Sequence, residues 1–183
     1  MKIRLTALLF SAVLLAGSGQ ALAQGNMNAV GAGLALNPVA SVFVVEYERL
    51  LNNHFSIGVR AGKIDYTWED DDYEEDGDGT GFDVTARYYF RGQGFKGPYI
   101  GASVGKWSGD YSWVELNQRG RGSWDATNVS AAFGWTFQMT PNFSLDPSVM
   151  IGNFSSSSTA TTGARNSELG GYIAVMIRAM FTF

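Results

Sequence analysis

Read backwards by twos from its last residue, the chain gives Phe183, Phe181, Ala179, Ile177, Val175 and Ile173, all apolar. The alternate positions hold Thr182, Met180, Arg178, Met176, Ala174 and Tyr172. A period of two gives an extended strand one apolar face and one mixed face. The pattern recurs six times. Phe143, Leu145, Val149 and Ile151 alternate with Ser144, Asp146, Ser148 and Met150. Val129, Ala131, Phe133, Trp135 and Phe137 alternate with Asn128, Ser130, Ala132, Gly134, Thr136 and Gln138. Further up the chain, 99–105, 82–90, 55–62 and 43–48 repeat it around Val104, Val84, Val59 and Val45. A glycine-rich segment at 27–36 makes an eighth strand.

Short connections at 51–54 and 139–142 alternate with long polar stretches at 66–80, 107–126 and 154–170, which read as loops. The connection at 37–40 is short for its side and that at 91–98 is long. Pro147 falls inside a strand, where its missing N–H is unfavourable. No stretch beyond the first residues approaches the 18 or so apolar residues of a membrane-spanning helix. Strands of about ten residues with every second residue apolar instead suit a barrel whose outer face meets lipid. The fold expected is therefore all-β, an eight-stranded antiparallel up-and-down transmembrane β-barrel. Tyr66, Trp68 and Trp107 fall near the outer strand ends, and Tyr47, Phe55, Tyr88, Phe90, Trp135, Phe137, Phe143 and Phe183 near the inner ends, as two interfacial girdles would require.

The first residues read as an export leader. Lys2 and Arg4 precede an apolar run from Leu5 to Ala16, and Ala21-Leu22-Ala23 supplies small residues before a cut. Residues 1–23 are expected to be a cleaved signal peptide and 24–183 the barrel domain. Of 13 basic residues two leave with the leader, so 11 face 17 acidic ones, a formal charge of −6. A net-negative chain without a basic cluster is a poor partner for nucleic acid. The absence of cysteine excludes a disulfide scaffold and thiolate chemistry.

Inside–outside parity sorts the charges. Glu46, Glu48, Asp83 and Asp146 point inward with Arg60, Arg87 and Arg178. An eight-stranded lumen is just wide enough to be filled by its own side chains, so these seven are expected to pair as a salt-bridged plug. Arg60 and Arg87 opposite Glu46 and Asp83 are the first pairs to examine. Residues 69–78 hold eight of the 17 acids, and Asp72, Glu74, Asp76 and Asp78 fall on a loose calcium-loop spacing. A solvated loop and a divalent cation site, alone or shared with lipopolysaccharide phosphates, are both open readings there. Apart from that ion no cofactor is expected. The stretch 108–125 sets Tyr111, Trp113 and Trp124 beside Arg119 and Arg121, a composition suited to a partner or glycan. The single histidine, His54, lies in an inner turn, away from any serine nucleophile, so an enzyme is not expected.

The terminal Phe183, with apolar residues at every second position before it, is similar to the targeting signature read by the outer-membrane assembly machinery. With the leader and the eight strands, the chain resembles the small outer-membrane β-barrel superfamily, including the OmpA transmembrane domain and the OmpX and OmpW types. The resemblance implies a Gram-negative outer membrane and a monomer among lipid and lipopolysaccharide. Three roles stay open: a non-enzymatic structural or adhesive barrel, an OmpW-like carrier passing a small apolar solute sideways, and a lipid A-modifying enzyme.

Overall fold

The computed structural model describes residues 27–115, 118–160 and 165–183, with side chains omitted at 160 and 165–169. The expected leader lies outside the described residues. Eight strands follow: β1 (Asn28–Leu36), β2 (Ala40–Leu50), β3 (Phe55–Asp70), β4 (Tyr73–Tyr89), β5 (Gly97–Glu115), β6 (Gln118–Gln138), β7 (Phe143–Ala160) and β8 (Arg165–Thr182). Each pairs antiparallel with the next, and β1 pairs with β8 to close the ring. Backbone bonds between Asn28 and Phe183, in both directions, finish that seam.

Local chemistry sets the short turns. The Asn37 side-chain oxygen accepts from the N–H groups of Val39 and Ala40, and Asn52 does the same for His54 and Phe55. Both are Asx turns, in which the side chain stands in for a backbone acceptor. Pro147 is tolerated in β7 because the ladder to β6 lapses there, between Gly134↔Ser148 and Phe137↔Leu145, while pairing with β8 continues. The 91–96 connection turns through left-handed Gly92 and Gly94, ahead of left-handed Gly97. This carries Phe95 under the barrel, where it packs with Leu50, Tyr89 and Met180.

The polarity is that of a membrane barrel. Val59, Phe82 and Ile173 are 57%, 59% and 66% exposed on the outside, while arginines and carboxylates are buried within. An aqueous surface would not carry so continuous an apolar belt.

The long polar stretches are not loops. β3 and β4 remain paired up to Asp70↔Tyr73 and β5 and β6 up to Glu115↔Gln118; β7 and β8 remain paired up to Thr159↔Arg165. Once a strand leaves the lipid its outward face no longer needs to be apolar, so alternation of hydrophobicity stops while the strand continues. The outer-girdle reading is also corrected. Tyr66, Trp68 and Trp107 share the parity of inward Arg60 and Tyr99. The inner girdle stands outside, with Tyr88 against both Phe55 and Phe90 and Trp135 stacked on Phe137.

β1 and β2 are short. Leu36↔Val175 is the last pair between β1 and β8, so β8 above that point pairs with β7 alone. Val59→Arg, on the middle of the belt, should cost about 2–4 kcal/mol in urea unfolding from lipid vesicles. Ser112→Arg, on the outward face above the belt, should leave the unfolding curve unchanged.

Candidate functional site

The structure brings the seven inward charges together in two groups, all buried, from 0% exposed for Asp146 to 7% for Arg87. In the lower group Arg178 of β8 reaches Glu46 at 2.6 Å and Glu48 at 3.4 Å, and its other terminal nitrogen donates to Asp146. Arg87 of β4 bonds Glu48 and lies 2.7 Å from Glu46. Hydroxyls fill the remaining acceptor positions. Ser56 and Tyr89 donate to Glu48 at 2.5 and 2.8 Å, Thr85 to Glu46 at 3.0 Å, and Tyr99 to Asp146 at 2.7 Å. The Arg87 guanidinium also sits 5.5 Å from the centre of the Tyr99 ring.

Above these, Arg60 donates from two nitrogens to Asp83, at 2.9 and 2.8 Å. Trp107 and Asn128 donate to the other Asp83 oxygen at 3.2 and 3.4 Å, and Tyr172 donates to Asn128 at 2.9 Å. Of the first pairs named from parity, Arg60–Asp83 and Arg87–Glu46 form. Glu46 and Arg60 are register partners, yet Arg60 turns to Asp83. The expected plug did not include Ser56, Thr85, Tyr89, Tyr99 and Asn128, which share its inward face. Their signal was inward parity combined with a hydroxyl or amide. A void of about 20 Å³ beside Arg60, Arg87, Ser103 and Ser130 has room for roughly one water.

Glycines account for the rest of the interior. On the inward face Gly77 pairs with Tyr66, Gly81 with Trp107, Gly122 with Tyr111, Gly120 with Trp113, Gly134 with Tyr99 and Gly152 with Tyr172. A Cβ at any of these would come within 2.7 Å of the opposite ring. The rings occupy the volume the glycines leave, the cross-strand arrangement by which aromatics support glycine in sheets.

The acidic segment is strand rather than calcium loop. Asp72 lies in the β3–β4 turn, while Glu74, Asp76 and Asp78 occupy successive outward positions on β4, about 7 Å apart. Asp76 accepts from Thr67 at 2.7 Å, and Asp78 lies 3.9 Å from Lys63. Among the described residues no three His, Asp or Glu side chains converge as a metal-ligand set. Asp65, Asp76 and Asp78 line an open groove of about 570 Å³ above Pro38 and Val39. Inward Glu75 instead accepts from Tyr66 at 3.0 Å and from Tyr73. Burial, then the Glu75 carboxylate, holds the Tyr66 hydroxyl protonated well above the usual phenol range.

In 108–125 the two residue types separate. Tyr111, Trp113 and Trp124 take inward positions, and Arg119 and Arg121 outward ones. His54 stays at the inner turn, its Nδ1 2.9 Å from the Tyr89 carbonyl oxygen and its ring stacked on Tyr88.

No protein-family model matches the sequence, and neither does any curated protein. Solved structures do share the fold. The N-terminal β-barrel domain of Pseudomonas aeruginosa OprF is 15% identical with a TM-score of 0.52, over 87% of this chain and 98% of that one. Acinetobacter baumannii CarO is 12% identical with a TM-score of 0.53, over 86% and 98%. Ail, the attachment invasion locus protein of Yersinia pestis, is 16% identical with a TM-score of 0.48, over 87% and 99%. At such identities the likeness is one of fold.

Removing one partner of a buried ion pair strands the other charge. Asp146→Ala should therefore lower the unfolding free energy in urea by about 3–5 kcal/mol. Asp65→Ala, at an exposed pair with Lys63, should show no measurable change.

Proposed function

We propose that this chain, a small β-barrel of the cell outer membrane, is a closed, non-enzymatic anchor that holds a wall of strands above the membrane for a structural or adhesive task. The observation that carries this reading is the lumen. Seven ionisable side chains are buried and ion-paired inside it, and the void beside them is about 20 Å³. A hydrated ion needs a continuous aqueous path, and eight strands leave no width for one once these side chains are in place. Phe95 adds a second, apolar stopper beneath.

Two rival roles fit the geometry less well. Sideways delivery of an apolar solute needs an opening in the wall within the bilayer, yet β1 and β8 pair without interruption from Ala29↔Thr182 to Leu36↔Val175. Behind the lapse in the β6–β7 ladder at Pro147 the interior is filled by buried Thr136 and Asp146. Lipid A chemistry needs a base near the outer leaflet, and His54 is at the opposite end. Lipid and lipopolysaccharide are the proposed surroundings of the monomeric belt, and the assembly machinery the proposed reader of Phe183. The negative charge argues against a nucleic-acid partner.

Planar-bilayer recording on the refolded barrel is expected to show no stable conductance step. A reproducible channel of fixed size would overturn the sealed reading. Mass spectrometry of lipid A should give one acyl pattern with and without the gene; a shifted pattern would reinstate the enzyme.

A further inference from the structure

We propose that the concave face of the wall above the membrane is a binding trough for an uncharged oligosaccharide. The inference rests on the anchor reading above and names what the wall would hold. Beyond Leu36 and Ala40 the ring is incomplete. β1 and β2 have ended, and β3 to β8 continue as a sheet open along one side. Its inner face is therefore reached from above and from the flank.

Across β3 to β6, the inward positions run Trp68, Glu75, Trp113, Gly120 in one row and Tyr66, Gly77, Tyr111, Gly122 in the next. Trp68 and Trp113 stand two strands apart, about 10 Å, with the Glu75 carboxylate between them. Trp68 is 52% exposed, a large area for an indole on a surface with no lipid beside it. A Cβ on Gly120 would meet the Trp113 ring at 2.5 Å, and one on Gly77 the Tyr66 ring at 2.3 Å. These rings thus lie across the wall over glycine instead of standing off it, leaving apolar surface toward the trough.

Flat rings around carboxylate acceptors, Glu75 with Asp70 and Glu115 at inward positions one row further out, match a sugar, whose C–H face packs on the rings while its hydroxyls donate. Charge selects which sugar. Among the described side chains no lysine or arginine takes an inward position above Arg60; Lys63, Lys106, Arg119 and Arg121 all take outward ones. A sulfated or phosphorylated glycan would meet Glu75 without a counter-charge.

The test is calorimetric titration of the refolded, full-length barrel in micelles with maltohexaose, chitohexaose and mannohexaose, and with sucrose octasulfate as the anionic comparator. At least one neutral hexasaccharide should bind. Trp68→Ala and Trp113→Ala should each weaken it by about tenfold or more, with Arg119→Ala unchanged and all variants retaining heat-modifiable gel mobility. Failure of all three neutral sugars on a folded barrel would overturn the proposal, as would unchanged binding in both tryptophan variants or tighter binding of sucrose octasulfate. Such a failure leaves the anchor reading intact, since that reading stands or falls on conductance.

Discussion

The width of an eight-stranded ring governs everything else in this molecule. Such a ring encloses room for little beyond its own inward side chains, so each inward position is chosen against its cross-strand neighbour. Bulk on one strand is offset by its absence on the next, so Tyr99, which faces Tyr89 on one side, meets Gly134 on the other, and Trp107 meets Gly81. Nor can a charge be left alone, because water does not reach it. The result is an interior built from two kinds of complementarity, ring against glycine and cation against carboxylate.

The two kinds overlap within the belt, where Tyr99 and Trp107 lie against glycine and also donate to Asp146 and Asp83, but only ring against glycine continues above it. The charge network lies within the apolar belt, where the local dielectric is low and each pairing is strong only while it is complete. The ring–glycine rows extend above the belt, where water competes for polar contacts but not for the packing of flat apolar surfaces. The abundance of glycine and aromatic residues, 23 glycines and 14% aromatics in the chain, thus reflects a narrow tube that continues after its lipid has ended.

This also explains what was legible in the sequence. Inside the bilayer one face must be apolar, so residues such as Val59, Val84 and Ile177 announced their strands by period and sorted Arg60, Asp83 and Arg178 to the inside. Above the bilayer the outward face is free, and Asp65, Asp76 and Ser112 alternate with Tyr66, Gly77 and Tyr111 in a pattern that is polar against mixed. Hydropathy is blind to it, and dense carboxylates looked like a solvated loop. The information was present in another form. Gly120, Gly122 and Gly134 of β6 share a parity and face Trp113, Tyr111 and Tyr99 of β5, and only the register reveals the match. Individual pairings were less accessible still, because an arginine reaches several neighbours. Parity could not tell that Arg60 would turn to β4 instead of β2.

Arg178 shows how closure and charge depend on each other. It lies on the last strand, and its three carboxylate partners belong to β7 on one side and to β2, beyond β1, on the other. Arg87 holds the same two β2 carboxylates from β4. Glu46 and Glu48 are therefore gripped from both directions around the ring. In an open sheet β8 would be far from β2, and both glutamates would lose a cation that the closed form supplies. Closing the β1–β8 seam and satisfying the buried charges are consequently one event, and a half-closed barrel is penalised twice: for its unpaired strand edges and for its stranded carboxylates.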